Sequence, residues 1–499
     1  MPTHALALIH TPVCEICTDW LIVALPEQAE LPADLAALDK ALDGGLSRLR
    51  QRGELKGKPG ESTHLPVVTG IAAQRLLIVG LGPLDKLTPA RWEQALLSAC
   101  RTASGTAESA ITIAVPAAVE QQLGIDQALS IASYASQVGS SGPGLYKSVA
   151  DRFAFRKVQI HSTTPDAPSQ AVEVGQILGE SVNLTRELVN RQPEEIVPET
   201  FAARAVEVAD AVGLTHEVFD LPRLEQERMG ALLAVARGSV HAPRVVVLKY
   251  AGAGESAPWL ALCGKGVTFD CGGLSLKPSD SMITMKGDMA GAATVLGALS
   301  AIARLKLPVN VIGVVGLVEN MIGPHSYKLG EVLTARNGTT IEVHNTDAEG
   351  RLVLSDVLSY TVDQKPRCLI DLATLTGSCM VALGTDIAGV FTNHQAWCDA
   401  VVDAAHRAGE EVWQMPMNDS FADQLKCDFA DIKNVGTRWG GSITAAKFLE
   451  RFVDQVPWVH LDIAGPSFAE SSRPYRDPGA TGSSLRTLVE VARRFSEFE

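Results

Sequence analysis

The chain is expected to be an α/β protein: a smaller N-terminal α/β domain, then a larger C-terminal domain built on a mostly parallel central sheet covered by helices. Two observations lead there. Short runs that are apolar on both faces, such as R-V-V-V-L-K-Y (Arg244 to Tyr250) and W-L-A-L-C-G (Trp259 to Gly264), alternate with Ala-rich stretches of helical periodicity. Strands with no polar face must be covered on both sides, and helices between them supply that cover. In addition, 499 residues exceed the size at which one hydrophobic core stops growing, so more than one domain is expected.

Along the chain, the strand runs of the first part are W-L-I-V-A-L, R-L-L-I-V-G-L-G, A-I-T-I-A-V and V-Q-I-H, between Ala5 and about Ser162. The stretch from Pro89 to Gly105 is read as a helix, and residues 1–166 as the N-terminal domain. Gly80-Leu81-Gly82 follows a strand but lacks the third glycine of a phosphate loop, so a nucleotide site is not expected there. A long amphipathic pattern over 167–192 predicts a linking helix. After the break R-Q-P-E-E-I-V-P a helix is predicted from Pro198 to Val212, opening a C-terminal domain over 193–499. Its further strands are Val309 to Val318, Cys368 to Leu375 and Trp458 to Ala464. In open sheets of this kind ligands bind beyond the carboxyl ends of the strands.

Composition narrows the functional classes. Hydrophobic residues make up 46% and charged residues 20%, as in an ordinary globular protein, and no run of about 18 apolar residues predicts a membrane span. The net charge of −14 argues against a nucleic-acid partner, because phosphate binding calls for a basic face. The nine cysteines are scattered and sit mostly in apolar runs, which suits reduced core residues in a cytoplasmic protein. Cys14-Glu15-Ile16-Cys17 has no second pair with which to build a zinc site and is read as structural. The N-terminus carries neither a basic n-region nor a cleavage site, so secretion is not expected.

The chemistry concentrates in two segments. N-T-D-A-E-G-R-L (Asn345 to Leu352) places Asp347 and Glu349 two positions apart with Arg351 beside them. Carboxylates at i and i+2 share a side on an extended or irregular backbone, and a guanidinium next to them can hold an anion near a cation. Alone, this octapeptide reads first as a solvated acidic turn ending in Gly350. The second segment, Gly264 to Ala293, spaces Lys265, Asp270, Lys277 and Asp288 among glycines, the composition of a site loop; Asp288, just before a small-residue helix, could instead be a cap. Together the segments supply four carboxylates, and oxygen-rich sets of this kind bind hard or borderline divalent ions, often in pairs that activate water for hydrolysis.

N-T-D-A-E-G-R-L and G-K-G-V-T-F-D-x-G-G-L-S-L-K-P resemble the signatures of the cytosolic leucyl aminopeptidases, and the likeness runs from about Leu188 to the C-terminus. The resemblance implies a metal-dependent aminopeptidase that removes leucine-like N-terminal residues from short peptides with a free amino group. It implies two divalent ions per subunit, Mn2+ or Zn2+. Lys265, Asp270, Asp288 and Glu349 would hold the tighter ion; Asp270, Asp347 (also through its carbonyl) and Glu349 the looser one. Arg351 would bind a bicarbonate acting as general base on a metal-bridging water, and Lys277 would stabilise the oxyanion. A homohexamer in the cytoplasm is implied as well.

Met285, Thr374, Gly377 and Ala464-Gly465 fall where the family shapes the pocket for the first side chain, Asn345 and Thr346 are expected to hold their loop, and Lys286 to be structural or a surface cation. Two positions depart from the family. Cys271 replaces a small hydroxyl residue after Asp270, and His344 stands where an apolar residue is usual; His344 is read as a pocket or interface histidine rather than as an extra metal ligand. Two competing readings, a DNA-binding role for the oligomer and a phosphoesterase, are disfavoured by the acidic charge and by the shortage of histidine ligands, respectively.

Overall fold

The computed structural model describes residues 5–28, 30–254 and 256–498. The chain divides into two compact units, one of residues up to Asn183 together with Ser471–Pro478, the other of Leu184–Glu470 and the residues from Gly479 on. The first unit holds a six-stranded sheet with strands in the spatial order Ala5–Ile9, Lys157–His161, Ala110–Ala114, Trp20–Pro26, Arg75–Gly82 and Ser62–Leu65. All neighbours are parallel except the last pair. Trp20–Pro26 is buried along its whole length. Ile22 and Ala24 enter one core cluster and Leu21, Val23 and Leu25 the other, so successive residues fill opposite faces of the sheet. The helix Pro89–Ala103 is capped by Thr88, whose hydroxyl accepts from Arg91 N, and buries Trp92 in the first of these clusters. Gly80 and Gly82 end a strand instead of opening a phosphate loop: a Cβ on Gly80 would lie 2.0 Å from Lys58 O.

A helix Ser169–Asn190 runs through the point of division, and Pro198–Val212 follows it, ended by Gly213 at φ 75°. The second unit contains an eight-stranded sheet. Its spatial order is Val412–Gln414, Ala388–Thr392, Trp458–Asp462, Cys368–Ala373, Trp259–Asp270, Asn310–Asn320, Arg244–Ala251 and Thr215–Phe219. The four central strands are mutually parallel, while Arg244–Ala251, Thr215–Phe219 and Ala388–Thr392 add antiparallel pairings. The sheet is thus mixed with a parallel centre. Apolar runs reveal burial on both faces but carry no information on strand direction, which is why Arg244–Ala251 looked like its parallel neighbours.

One strand is longer than its sequence suggested. The ladder between Trp259–Asp270 and Asn310–Asn320 continues past Gly264 to pair Lys265 with Gly316 and Asp270 with Asn320. Lys265 and Asp270 are therefore strand residues, not loop residues. The glycines on either side of Lys265 permit close approach, not turning. A Cβ on Gly264 would meet Gly291 O at 2.7 Å, and one on Gly266 would meet Gly316 O at 2.6 Å. A Cβ on Gly291 itself would reach Leu372 O at 2.2 Å, so bare backbone lets the helix Ala290–Arg304 lie directly on the strands.

Candidate metal centre

The site forms where the four parallel strands end. Trp259–Asp270 carries Lys265 and Asp270, Asn310–Asn320 ends on Asn320, Thr374 follows Cys368–Ala373, and Asp462 ends Trp458–Asp462. The register shifts between Val318 and Asn320, which sets Asn320 opposite Asp270; its Nδ2 donates to Asp270 Oδ1 at 2.7 Å and to Thr346 O at 3.0 Å. Beyond Asp270 the chain turns through Gly272 and Gly273 (φ 91° and 62°), Lys277 N donates to Cys271 O, and Gly272 N donates to Asp270 Oδ1. A side chain at Gly272 would strike Asp347 Oδ1 at 2.8 Å. The turn thus returns Lys277 to the strand end.

Asp288 lies after a short 3-10 turn, Met285–Gly287, and Met289, not Asp288, is the N-cap of Ala290–Arg304. Asp288 therefore does not cap; its carboxylate faces the centre. Glu349 precedes the helix Gly350–Asp363 as its N-cap without making a side-chain cap. Both carboxylates thus sit near helix N-termini, where the dipole favours anions.

These elements bring together all seven site residues singled out in the sequence. Lys265 Nζ lies 2.7 Å from Asp288 Oδ1 and 2.9 Å from Glu349 Oε1, and donates to Thr374 O at 3.0 Å. Lys277 Nζ is 2.8 Å from Asp270 Oδ2 and pairs with Asp347 Oδ1. Carboxylate oxygens of Asp270, Asp347 and Glu349 converge within 4.8 Å of one another. Lys265, Asp270, Asp288, Glu349 and Arg351 are buried, whereas Asp347 remains partly open to solvent.

Four carboxylates crowd around two ammonium groups, and burial and their mutual charges together set the titration. Burial alone would depress both lysines, but Asp288 and Glu349 for Lys265, and Asp270 and Glu349 for Lys277, hold them above the ordinary lysine range. Burial raises Asp288 well above the usual carboxylate range, and it raises Asp270 with help from Glu349 and Asp347 with help from Asp270. Two anionic oxygens, Asp288 Oδ2 and Glu349 Oε2, are buried without a hydrogen-bond partner. Such orphans are costly unless a cation meets them, so an oxygen-rich set with unmet acceptors and excess charge fits divalent metal ions.

Arg351 points its guanidinium into the same buried region. Nη1 donates to Asn434 O at 2.8 Å, while Nε has no partner. Burial lowers its pKa to about 10, opposed by Glu349 and Asp462, so it is still a cation at neutral pH. Gly350 is not at a positive φ; its role is space, since a Cβ there would lie 2.5 Å from Lys265 Cε.

Weaker sequence expectations resolve individually. Thr346 locks the octapeptide to the Gly272 turn, its hydroxyl donating to Gly272 O and accepting from Ser275 N, and Asn345 Oδ1 accepts from Asp347 N. Thr374 is a tether: its hydroxyl donates to Asp288 Oδ1 at 2.7 Å. Met285 is half-buried, Gly377 is exposed with open space where a Cβ would be, and Gly465 is needed because a Cβ would meet Gly384 O at 2.6 Å. Lys286 donates to Asn190 O at 2.8 Å, a structural tether. Cys271 is buried, and burial keeps its thiol protonated. His344 pairs with Glu342.

Four supporting residues escaped sequence reasoning: Asn320, Tyr327, Asn434 and Asp462. Tyr327 donates its hydroxyl to Thr346 O at 2.6 Å; Asn434 accepts from His344 N and donates to Asn345 O. Asp462 accepts from Thr376 Oγ1 and from the amides of Leu375, Thr376 and Ala464, fixing the loop that carries Thr374. Asn320 and Asp462 had a signal, a polar residue ending an apolar strand run. Tyr327 and Asn434 had none.

The carboxylate and lysine cluster stands at the strand ends of a parallel-centred α/β sheet, where such folds bind ligands, and its oxygen donors suit divalent cations. The pattern of the cytosol aminopeptidase family, catalytic domain, matches residues 183–489, and that of its N-terminal domain matches residues 22–138. The chain belongs to the cytosol aminopeptidase family and is a peptidase. It is 48% identical over 462 residues to a probable cytosol aminopeptidase of Rhodopirellula baltica, covering 91% of this chain and 88% of that one. A relative with the same description from Geobacter sp. is 42% identical, over 91% and 93% of the two chains. Among solved structures, the bottromycin maturation enzyme BotP in complex with Mn is 33% identical with a TM-score of 0.84, covering 96% of this chain and all of BotP. A tomato leucine aminopeptidase variant is 32% identical with a TM-score of 0.88, covering 99% and 97%.

Proposed function

We propose that this peptidase is a two-metal aminopeptidase that removes leucine-like N-terminal residues from short peptides in the cytoplasm. The observation that carries the reading is the convergence of the Asp270, Asp347 and Glu349 oxygens beside the Lys265–Asp288 pair, in a chain of this family. Asp270, Asp288, Glu349 and Lys265 would hold one ion, and Asp270, Asp347 and Glu349 the other; the orphaned oxygens of Asp288 and Glu349 support this reading. The ions, Mn2+ or Zn2+, supply Lewis acidity, lowering the pKa of a water and polarising the scissile carbonyl. A Mn complex of BotP and the oxygen-rich donors favour manganese in at least one site.

The remaining steps belong to the chain's own groups. To serve as a ligand Lys265 would release its proton to solvent, which the ions' charge would favour, because only the neutral amine has a lone pair to give. Lys277 stays protonated and, at the open side of the site, donates to the developing oxyanion. Arg351 orients an anion such as bicarbonate, which takes the proton of the attacking water; its unpartnered Nε supports that task. The free amino group of the peptide is held on the carboxylate side of the centre, which restricts cleavage to the first residue. Met285, Gly377 and Ala464-Gly465 shape the pocket for its side chain, and six chains assemble into a homohexamer.

The test is hydrolysis of leucine p-nitroanilide and of its N-acetylated counterpart, with metal content measured in parallel after chelation and after manganese or zinc reloading. Metal-dependent release from the free amine alone is expected. Equal cleavage of the acetylated compound, or full activity in the chelated protein, would remove the reading.

A further inference from the structure

A second cluster of metal-binding side chains lies outside this centre. The strand Thr340–Glu342 pairs antiparallel with Val332–Thr334 and parallel with Ile432–Lys433, opposing Glu342 to Lys433. Glu342 and His344 are two residues apart where the strand runs out, so their side chains can share a side. The segment leading into Ile432–Lys433 brings Cys427 to the same place. His344 Nε2 is 2.8 Å from Glu342 Oε2, and Cys427 Sγ donates to that same oxygen at 2.7 Å. All three ligand atoms lie within 4.8 Å of one another. Phe429 N points at Cys427 Sγ from 3.5 Å. With 42% of the His344 side chain exposed, an ion could enter from solvent.

We propose that Glu342, His344 and Cys427 form a third cation site, selective for a borderline, thiophilic divalent ion of the zinc class. The donors are one sulfur, one imidazole nitrogen and one carboxylate oxygen, with solvent for the fourth tetrahedral position. This set is chemically unlike the oxygen-rich centre at Asp270 and Glu349, and it discriminates against manganese. On loading, the Cys427 S–H bond breaks, its proton leaves to solvent and a metal–sulfur bond forms; neutral His344 gives its Nε2 lone pair. Metal–ligand bonds of about 2.0–2.3 Å put tetrahedral donors roughly 3.5 Å apart, so the present contacts open by less than about 1 Å. The ion would tie the strand, the Cys427 segment and the entry to the octapeptide together. His344 N and Asn345 N both donate to Asn434 Oδ1, and Asn434 O accepts from Arg351, so the site sits at the root of the loop that carries Asp347 and Glu349.

The experiment adds one equivalent of Co2+ to the manganese-loaded protein and records the thiolate-to-cobalt charge-transfer band, which the oxygen ligands cannot produce. The parent should show the band, and so should Cys271→Ser. Cys427→Ser should lose it, and His344→Ala should weaken cobalt binding by more than the roughly 10–100-fold typical of a lost supporting partner. One equivalent of Zn2+ should erase the band while excess Mn2+ leaves it. No band in the parent, a band that survives Cys427→Ser in a protein of unchanged circular dichroism, or erasure by Mn2+ would overturn the proposal. Because the readout is spectroscopic, these results are independent of whether the protein cleaves peptides.

Discussion

At the scale of single residues, the octapeptide assigns neighbours to separate tasks, and substitutions should separate them. Glu349 contributes Oε1 to Lys265 and leaves Oε2 unmet, so Glu349→Ala removes a donor from both proposed ion sites. Metal content and activity should both collapse, read by elemental analysis and peptide hydrolysis. Arg351 donates to Asn434 O and, among the described residues, to no carboxylate. Arg351→Ala should keep most of the metal while lowering kcat by about 10²–10⁴, the range of general acid–base catalysis. Equal metal loss in both variants would defeat the division of labour. Between them, Gly350→Ala sets two effects against each other. Alanine favours a helix over glycine by roughly 1 kcal/mol, but less at a first turn, whereas a Cβ 2.5 Å from Lys265 Cε overpacks a buried site at about 1–3 kcal/mol. Overpacking should win, lowering the melting temperature and displacing Lys265 from Asp288 and Glu349.

At the scale of elements, the helix Gly350–Asp363 is held by a buried carboxylate. Asp356 Oδ2 accepts from Leu232 N at 2.9 Å and Oδ1 from Arg336 N at 2.7 Å. Burial nevertheless raises its pKa to about 7, the amides only partly opposing the shift. The folded protein thus holds this proton more tightly than the unfolded chain, whose Asp titrates near ~3.9. The resulting stabilisation is complete below the unfolded pKa, declines as pH rises toward 7 and is gone above it, about 4 kcal/mol at most. Asp356→Asn lacks that proton, so the parent's stability advantage over it should shrink from pH 4 to 7 and then stay level, as followed by melting temperature. A difference that grew over this range would contradict the sign. Elements also show what sequence could and could not reveal. The buried strands were legible because their apolar residues fall on both faces, and the site segments because glycines and charges alternate. Strand direction was not legible, nor the extension of Trp259–Asp270 through Lys265, because a glycine admitting a helix backbone looks in sequence like one making a turn. Tyr327 and Asn434 were invisible because their partners are backbone atoms of a distant loop.

At the scale of the whole molecule, the surface raises the question of assembly. Leu274, Leu276, Ile283, Ile322, Phe429 and Trp439 are large apolar side chains exposed to solvent. They belong to segments that adjoin site residues in the chain: Leu274 to Ile283 follows Asp270, Ile322 follows Asn320, and Phe429 and Trp439 flank Asn434. Scattered apolar residues on a surface need no explanation, and others lie elsewhere on this chain, but those in segments next to a site are the ones to test for binding or assembly. A net charge of −14 would oppose association unless such apolar burial offsets it, and screening by salt would then favour the assembly. A homohexamer of the 52.9 kDa chain is the expected outcome, so light scattering should return six times the chain mass, held or increased in population as salt rises. Replacing Phe429 and Trp439 by serine distinguishes the two uses of the surface. Smaller species with unchanged KM would place these residues between subunits, intact hexamers with raised KM would place them against peptide, and a parent that stays a monomer at all concentrations would remove the assembly altogether.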